Sequence, residues 1–503
     1  MKKILLIIGL ISVVFAQEKT GKKIIKYSGN IGARFESNVS DLDYLPENYA
    51  ATYFNFNLSA GLVGFNLNGE LTTSESRFSP EFIKNLSFSP KLGWFQLYLG
   101  DHYPNYSKLV MSGAKVRGVS VEMNPEVFFL GMTGGRVRVG GADKDGEYRR
   151  EAYGLQLGAR SKEFELLAKI SRLNDLPSAD MDSIYKPQES LTAGVSTAIE
   201  FPGKIRIKGE AGYSFSTLDK TTARVDSVLA FDVLSLDEIG IQPRLSSRLD
   251  YAYNYNIFIP IKVFQFTYQR DFIGPGFQTL GTPYLKNDIL KDMYRAGLNL
   301  FKGKFNSYFI YLTQKNNLND ELTRETKMDH YTVSTQLRPV RFFSISGRFS
   351  TLERVKKDSV NAYEYLKDSY DLTPELRFKT GPVENRLSFG YSTSVSDYNN
   401  SEFTTQNIRV RYHGNLESGY SIFGDLNYND YEKEQRNSYS IGAAKRFKQR
   451  GNLSASLGLG DKMESNVSAY WVLPWKMQLN TSLSYFRLIK FRFRYQINIS
   501  RNF

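Results

Sequence analysis

The chain has no cysteine, so it can form neither a disulfide framework nor a thiolate metal site. Histidine is almost as scarce, with only His102, His330 and His413 among 503 residues. A nucleophile–base pair needs a serine or aspartate beside a histidine that a third group orients. His102 lies near Ser107, His330 follows Asp329, and His413 sits on the polar face of a strand, each without an evident acid to orient it. No clustered histidines, EF-hand-like loop, P-loop or strand–helix dinucleotide fingerprint occurs. No catalytic residue, no metal and no cofactor is therefore expected. Helices are missing as well: no sustained i, i+3, i+4 apolar pattern runs anywhere in the chain. Past residue 15 no apolar run approaches the ~20 residues a spanning helix needs, and mean hydropathy is −0.38.

The one long apolar run is at the start. Lys2 and Lys3 precede Ile4 to Phe15, and Val14-Phe15-Ala16 places small residues at the −3 and −1 positions. This is the layout of a secretory signal peptide, with cleavage expected after Ala16. It is too short for a membrane anchor, and without a following cysteine it cannot carry a lipid. Residues 17–26 read as a short polar lead, leaving no room for a plug domain of the TonB-dependent type.

What the chain has in abundance is alternation. Tyr27, Gly29, Ile31, Ala33 and Phe35 interleave with Ser28, Asn30, Arg34 and Glu36; Leu387, Phe389, Tyr391, Thr393 and Val395 interleave with Arg386, Ser388, Ser392 and Ser394. A period of two puts one set on each face of a β-strand. The final stretch does the same over Ile489 to Ser500, about 12 residues, where soluble strands average about 5–6 and bilayer-crossing ones need about 9–11. Thirty-three Tyr and 35 Phe against 3 Trp supply strand formers and interfacial aromatics. Connections alternate between short turns with Pro or Gly (Asn124-Pro125, Pro202-Gly203, Ile259-Pro260, Lys302-Gly303, Arg338-Pro339, Gly381-Pro382, His413-Gly414, Leu473-Pro474) and longer polar segments (174–188, 218–243, 273–291, 315–327, 353–368). The expected fold is all-β: one closed antiparallel transmembrane barrel over residues 27–503, of roughly 24–26 strands, with short periplasmic turns and long extracellular loops. Trp94, Trp471 and Trp475 adjoin short turns, as an aromatic girdle on the periplasmic side would.

A long amphipathic last strand ending on Phe503 resembles the C-terminal signal by which outer-membrane barrels are recognised for assembly, which implies the barrel-assembly machinery as a partner. Two other segments stand out: Gly100-Asp101-His102-Tyr103-Pro104-Asn105-Tyr106-Ser107-Lys108-Leu109, and Gly274-Pro275-Gly276-Phe277-Gln278-Thr279-Leu280-Gly281-Thr282-Pro283-Tyr284-Leu285-Lys286-Asn287-Asp288. Glycine, proline and interleaved aromatics make ordered, turn-rich loops. Both resemble segments of uncharacterised outer-membrane proteins of Bacteroidetes- and Ignavibacteria-type bacteria; the resemblance implies fold and location and carries no known active residues. Either these loops pack inward and brace a wide barrel, or Asp101, His102, Tyr103, Tyr106, Phe277, Gln278, Tyr284, Asn287 and Asp288 include a ligand or partner site. A wide lumen also calls for filling, and the apolar run Val228 to Leu236, with Phe231, is a candidate.

A net charge of +13 on a soluble protein would suggest nucleic acid. In an exported barrel, cations in the lumen and in loops facing anionic lipid head groups account for it, and no nucleic-acid partner is expected. Arg386, Arg409, Arg411, Lys490, Arg492 and Arg494 fall on polar faces, where they either favour anions in a pore or pair with carboxylates such as Asp425 and Glu464. The sequence thus implies an outer-membrane channel or the barrel subunit of a translocation machine, in contact with membrane lipid and lipopolysaccharide, with a periplasmic or surface protein as a candidate partner. The alternative is a structural or surface-interaction barrel. Edman sequencing of the exported protein should begin at Gln17; a chain that keeps Met1 would remove the export argument.

Overall fold

The computed structural model describes residues 25–502 apart from 41–47, 61, 73–82, 138–148, 177–185, 226–240, 321, 359–361, 400, 432–433, 448–450, 461–462, 474–476 and 488–490. The cleavage site at Ala16, most of the lead, the run with Phe231, Lys490, Trp475 and Phe503 lie outside the described residues.

The strands are β1 (Ile25–Ser40), β2 (Asn48–Ala60), β3 (Val63–Thr72), β4 (Ile83–Leu92), β5 (Phe95–His102), β6 (Val116–Met123), β7 (Phe128–Val137), β8 (Arg149–Arg160) and β9 (Phe164–Leu176). There follow β10 (Glu189–Phe201), β11 (Ile205–Thr217), β12 (Ser247–Ile261), β13 (Phe264–Ile273), β14 (Ile289–Leu300), β15 (Phe305–Lys315), β16 (Glu325–Val340), β17 (Phe343–Lys357) and β18 (Tyr363–Thr380). The last are β19 (Val383–Tyr398), β20 (Ser401–Leu416), β21 (Tyr420–Tyr431), β22 (Glu434–Phe447), β23 (Gly451–Leu459), β24 (Met463–Val472), β25 (Met477–Arg487) and β26 (Phe491–Asn502). Each pairs antiparallel with its neighbours in sequence, and β26 returns to pair with β1 from Ser40↔Arg492 to Asn30↔Asn502, so 26 strands close into a ring. A ring of this size, at ~4.8 Å between strands and a tilt near 40°, is about 50 Å across.

Paired residues point to the same side of a sheet, so the register separates two faces around the whole ring. One carries Phe309, Val333, Phe349, Tyr370, Phe389, Ile408, Leu426, Ile441, Leu457, Val467, Leu483 and Ile499, all large, apolar and exposed. The other carries Ser350, Ser369, Ser392, Asn407, Asn427, Ser454, Ser468 and Ser482. A soluble protein would bury the first set; a barrel in lipid turns it outward and keeps the polar set inside.

Every connection of five residues or more is at one end and the other end has only turns of two to four, but from β19 onward the connections at the long-loop end (399–400, 432–433, 460–462 and 488–490) are as short as the turns. Several turns lie a few residues beyond their expected positions. Pro260 is still in β12 opposite Gln265, and the chain turns at Lys262-Val263. Pro339 is inside β16, beside a register shift between Leu337 and Val340, and the turn is at Arg341-Phe342. His413-Gly414 lies within β20 and the turn follows at 417–419. Proline breaks a ladder only where its missing N–H is needed, and strand ends and bulges spare it. The expected loop 353–368 shrinks to 358–362 because β17 and β18 pair out to Lys356↔Tyr363; 315–327 shrinks to 316–324.

Leu426 and Asn427 are neighbours on opposite faces, which allows a direct check. Leu426→Arg should cost about 2–4 kcal/mol when unfolding is followed in lipid vesicles, whereas Asn427→Arg should stay within about 1 kcal/mol of the parent; equal costs would mean the faces are misassigned.

Candidate functional site

Buried side chains gather on one side of the ring. Loop 103–115, between β5 and β6, and loop 274–288, between β13 and β14, fold onto the inner face of β6–β13 and onto each other. Val110 and Met111 are fully buried in a cluster with Tyr106, Ala152, Leu173 and Leu280; Leu109 and Phe277 pack with Ala252 and Ile273. Polar contacts fix the docking. The Ser112 amide donates to the Gly281 carbonyl (3.0 Å), and the hydroxyls of Thr279 (3.1 Å) and Ser171 (3.2 Å) both donate to the Val110 carbonyl. The Leu109 amide donates to Glu210 (3.1 Å), the Leu280 amide to Ser190 Oγ (3.1 Å), and the Gly276 amide to Asp250 (2.7 Å).

The wall beneath is made of small residues, which is why the loops fit. Ala152, Gly154, Ser171, Ser190, Thr192, Gly194, Gly212, Ser214 and Ala252 share the inner face of β8–β12. A Cβ on Gly154 would sit 2.4 Å from the Tyr106 ring, and one on Gly274 would sit 2.2 Å from the Asp250 carboxylate. Only glycine permits either approach.

The residues singled out in the sequence divide into three groups. His102, Tyr103 and Tyr106 line a cleft of about 210 Å³ with Tyr98, Ser120, Glu122 and Gln156. His102 Nδ1 faces the Gly100 carbonyl (2.9 Å) and must donate to it, leaving Nε2 to accept from the Ser120 hydroxyl. Ser120 is buried and also bonded to Thr133 (2.7 Å), so the pair lacks an exposed nucleophile. Asp101 is apart from the cleft: it takes Arg117 in a bidentate pair (2.7 and 3.0 Å), the Leu86 amide (3.0 Å) and Lys115 (3.6 Å). The third group is structural in its contacts. Phe277 is core, the Gln278 carbonyl accepts from Ser214, and Asn287 donates to the Pro275 carbonyl (2.7 Å). Asp288, at φ +56°, accepts from the amides of Asn317 (2.8 Å) and Leu318 (2.9 Å), tying its loop to the next one. Tyr103 and Tyr284 stay open, 63% and 86% exposed.

Four of the cations expected on the inner face bond carboxylates. Arg386 bonds Glu375, Arg409 and Arg411 share Asp425, and Arg494 reaches Glu36 (2.8 Å) across the β1–β26 closure. Arg492 is placed by register opposite Ser40 and Phe486. Glu464, the other carboxylate expected as a partner, lies opposite Gly458 and Phe486. Away from the two loops the inner wall is polar: Ser350, Ser392, Thr405 and Asn407 line a cleft of about 340 Å³ together with the charged Arg348, Lys367 and Asp371. Among the described residues no group of three or more His, Asp or Glu is arranged to hold a metal.

Trp94 is exposed in the β4–β5 turn, and Trp471, on β24, tilts against Phe447 (5.0 Å) near the same end. A second aromatic belt was not legible as such. On the outer face, about midway along the strands, Tyr255, Tyr268, Tyr294, Tyr311 and Tyr331 contact one another in order across β12–β16, with centroids 4.6–6.0 Å apart. Tyr268 donates to Asp292 (2.9 Å), which also holds Arg270 (2.7 Å), so the belt has a charged rim. Tyrosines at matched heights on separate strands show no spacing signal in the sequence.

Burial pushes the Tyr106 phenol up to about 12. A phenol held neutral in the folded state stabilises docking fully below the ordinary value near 10, and that stabilisation falls as pH rises from about 10 to 12. Protease cleavage within 103–115 should therefore accelerate above pH 10 in the parent, and Tyr106→Phe should remove this alkaline step. Gly154→Val should expose the same loop at every pH; unchanged cleavage would mean the loop is not docked.

The sequence matches no protein-family model and no curated protein. Among solved structures it is similar to OccAB4 of Acinetobacter baumannii (11% identity, 68% of this chain and 97% of that one, TM-score 0.34). It is similar to the siderophore receptor PirA of Pseudomonas aeruginosa (9% identity, 97% and 81%, TM-score 0.39). It is also similar to the P pilus usher PapC translocation pore (11% identity, 95% and 99%, TM-score 0.29).

Proposed function

We propose that the chain is an outer-membrane transport barrel, its short turns in the periplasm and its long loops at the cell surface, acting as a pore or as the barrel subunit of a translocation machine rather than as an enzyme. One observation carries the reading. Among the described residues the two inward loops brace the wall from β6 to β13, while the inner side chains of β17–β25 are mostly polar and half-exposed or exposed. Two loops, each about one side-chain layer deep, cannot fill a lumen about 50 Å wide. Glu375, Asp425 and Glu36 only partly offset Arg386, Arg409, Arg411 and Arg494, because each carboxylate is shared by two arginines, which favours a hydrogen-bonding passage of modest anion preference over a strongly selective anion pore.

A second reading, a barrel that docks a surface protein at its loop end, is favoured by the exposed Tyr103 and Tyr284 beside rigid loops. Conductance of the refolded protein in a planar bilayer separates the two. Steady ohmic channels, with anion-to-cation permeability within about threefold of unity, are expected; Asp425→Asn should move the reversal potential towards anions by freeing Arg409 and Arg411. A folded but electrically silent barrel would favour the docking reading.

A further inference from the structure

At the short-turn end, the β14–β15 turn (301–304) and the β16–β17 turn (341–342) stand side by side and enclose a cavity of about 730 Å³. Lys302, Lys304, Arg338, Arg341 and Arg377 line it, and no carboxylate does. Glu375, the acidic partner of Arg377 (2.7 Å), also bonds Arg386. Lys302, Lys304, Arg338 and Arg341 have no ion-pair partner among the described residues, and all four are exposed. The frame is rigid: the Arg338 amide donates to the Lys304 carbonyl (2.7 Å) and the Arg377 amide to the Phe342 carbonyl (2.8 Å).

Two further observations say what the cations face. Phe301, Val340 and Phe342 are exposed at 73%, 43% and 59%; Val340, paired with Phe343, carries the apolar outer face to the cavity's edge, Phe342 lines the cavity, and Phe301 precedes Lys302 in the adjoining turn. Phe301 and Lys302 also hold φ of +54° and +56° in succession. A hairpin turn of that shape favours Asn or Gly, so an aromatic and a cation stand there against backbone preference.

We propose that this cavity is a headgroup site for an anionic phospholipid of the leaflet at the short-turn end. Lys302, Lys304, Arg338 and Arg341 take the phosphate, and Phe301 and Phe342 sit among the upper acyl carbons. The proposal rests on the membrane reading above but not on whether the lumen conducts. Clustered basic side chains next to a lipid-facing wall attract phosphate-bearing lipids through charge, while the aromatic rim fixes depth. An acidic polypeptide would match the charge but not the apolar rim.

The test is native mass spectrometry of the delipidated full-length barrel in neutral detergent, titrated with phosphatidylglycerol or phosphatidylcholine. The parent should retain phosphatidylglycerol preferentially. Lys302→Gln/Lys304→Gln/Arg341→Gln should weaken that retention about tenfold or more and leave phosphatidylcholine unchanged. Lys204→Gln/Lys262→Gln, at neighbouring turns of the same end, should bind like the parent. Heat-modifiable gel mobility reports folding, and if the triple variant fails to fold, Arg341→Gln alone is read the same way. Equal retention by parent and triple variant overturns the proposal, and so does equal loss in the Lys204/Lys262 control, which would indicate diffuse charge. Displacement of phosphatidylglycerol by millimolar inorganic phosphate would make it a free-phosphate site, and displacement by poly-glutamate a polypeptide site; either overturns the lipid assignment.

Discussion

Everything in this molecule depends on leaving no strand edge unpaired. Lipid offers no hydrogen-bond partner to a backbone amide or carbonyl, so a sheet crosses a bilayer only if it closes. The chain meets that requirement through the ladder from Ser40↔Arg492 to Asn30↔Asn502, reinforced on the inside by Arg494 and Glu36. Once the ring is shut, the sorting of side chains follows: apolar outward, polar inward, strand after strand.

Closure at 26 strands creates a second problem, a lumen too wide for wall side chains to fill. Only part of the wall deals with it. Small residues along the inner face of β8–β12 leave a shallow bed, and two ordered loops occupy it with Val110, Met111 and Phe277. The loops bury apolar surface against the wall and against each other, which makes them braces rather than flaps. The opposite wall keeps a polar lining of serine, threonine and asparagine, with Arg409 and Arg411 held by Asp425.

The architecture was largely legible because period-two alternation is a local signal repeated many times, and an even strand number follows from both ends lying on one side. Turn positions slipped by a few residues where Pro260, Pro339 and Gly414 read as punctuation but are tolerated within strand ends. The two glycine- and proline-rich segments were visible one by one, yet nothing in the sequence said that Ser112 meets Gly281. The pairing of Arg409 with Asp425 was open as one of two readings and depended on a register that only the structure supplies. The tyrosine belt and the basic cavity are assembled from residues on different strands and turns, and such groupings have no one-dimensional signature.

The clasp between first and last strands has a consequence for how the barrel forms. Nearly every other pairing joins strands adjacent in sequence and can form hairpin by hairpin as the chain emerges. The β1–β26 seam brings together residues about 460 positions apart, and the entropy of closing so long a loop cannot be offset until the rest of the sheet holds both ends in place. The seam is therefore the last ladder to form, so until it shuts, the growing sheet carries two naked edges that must be shielded from other chains.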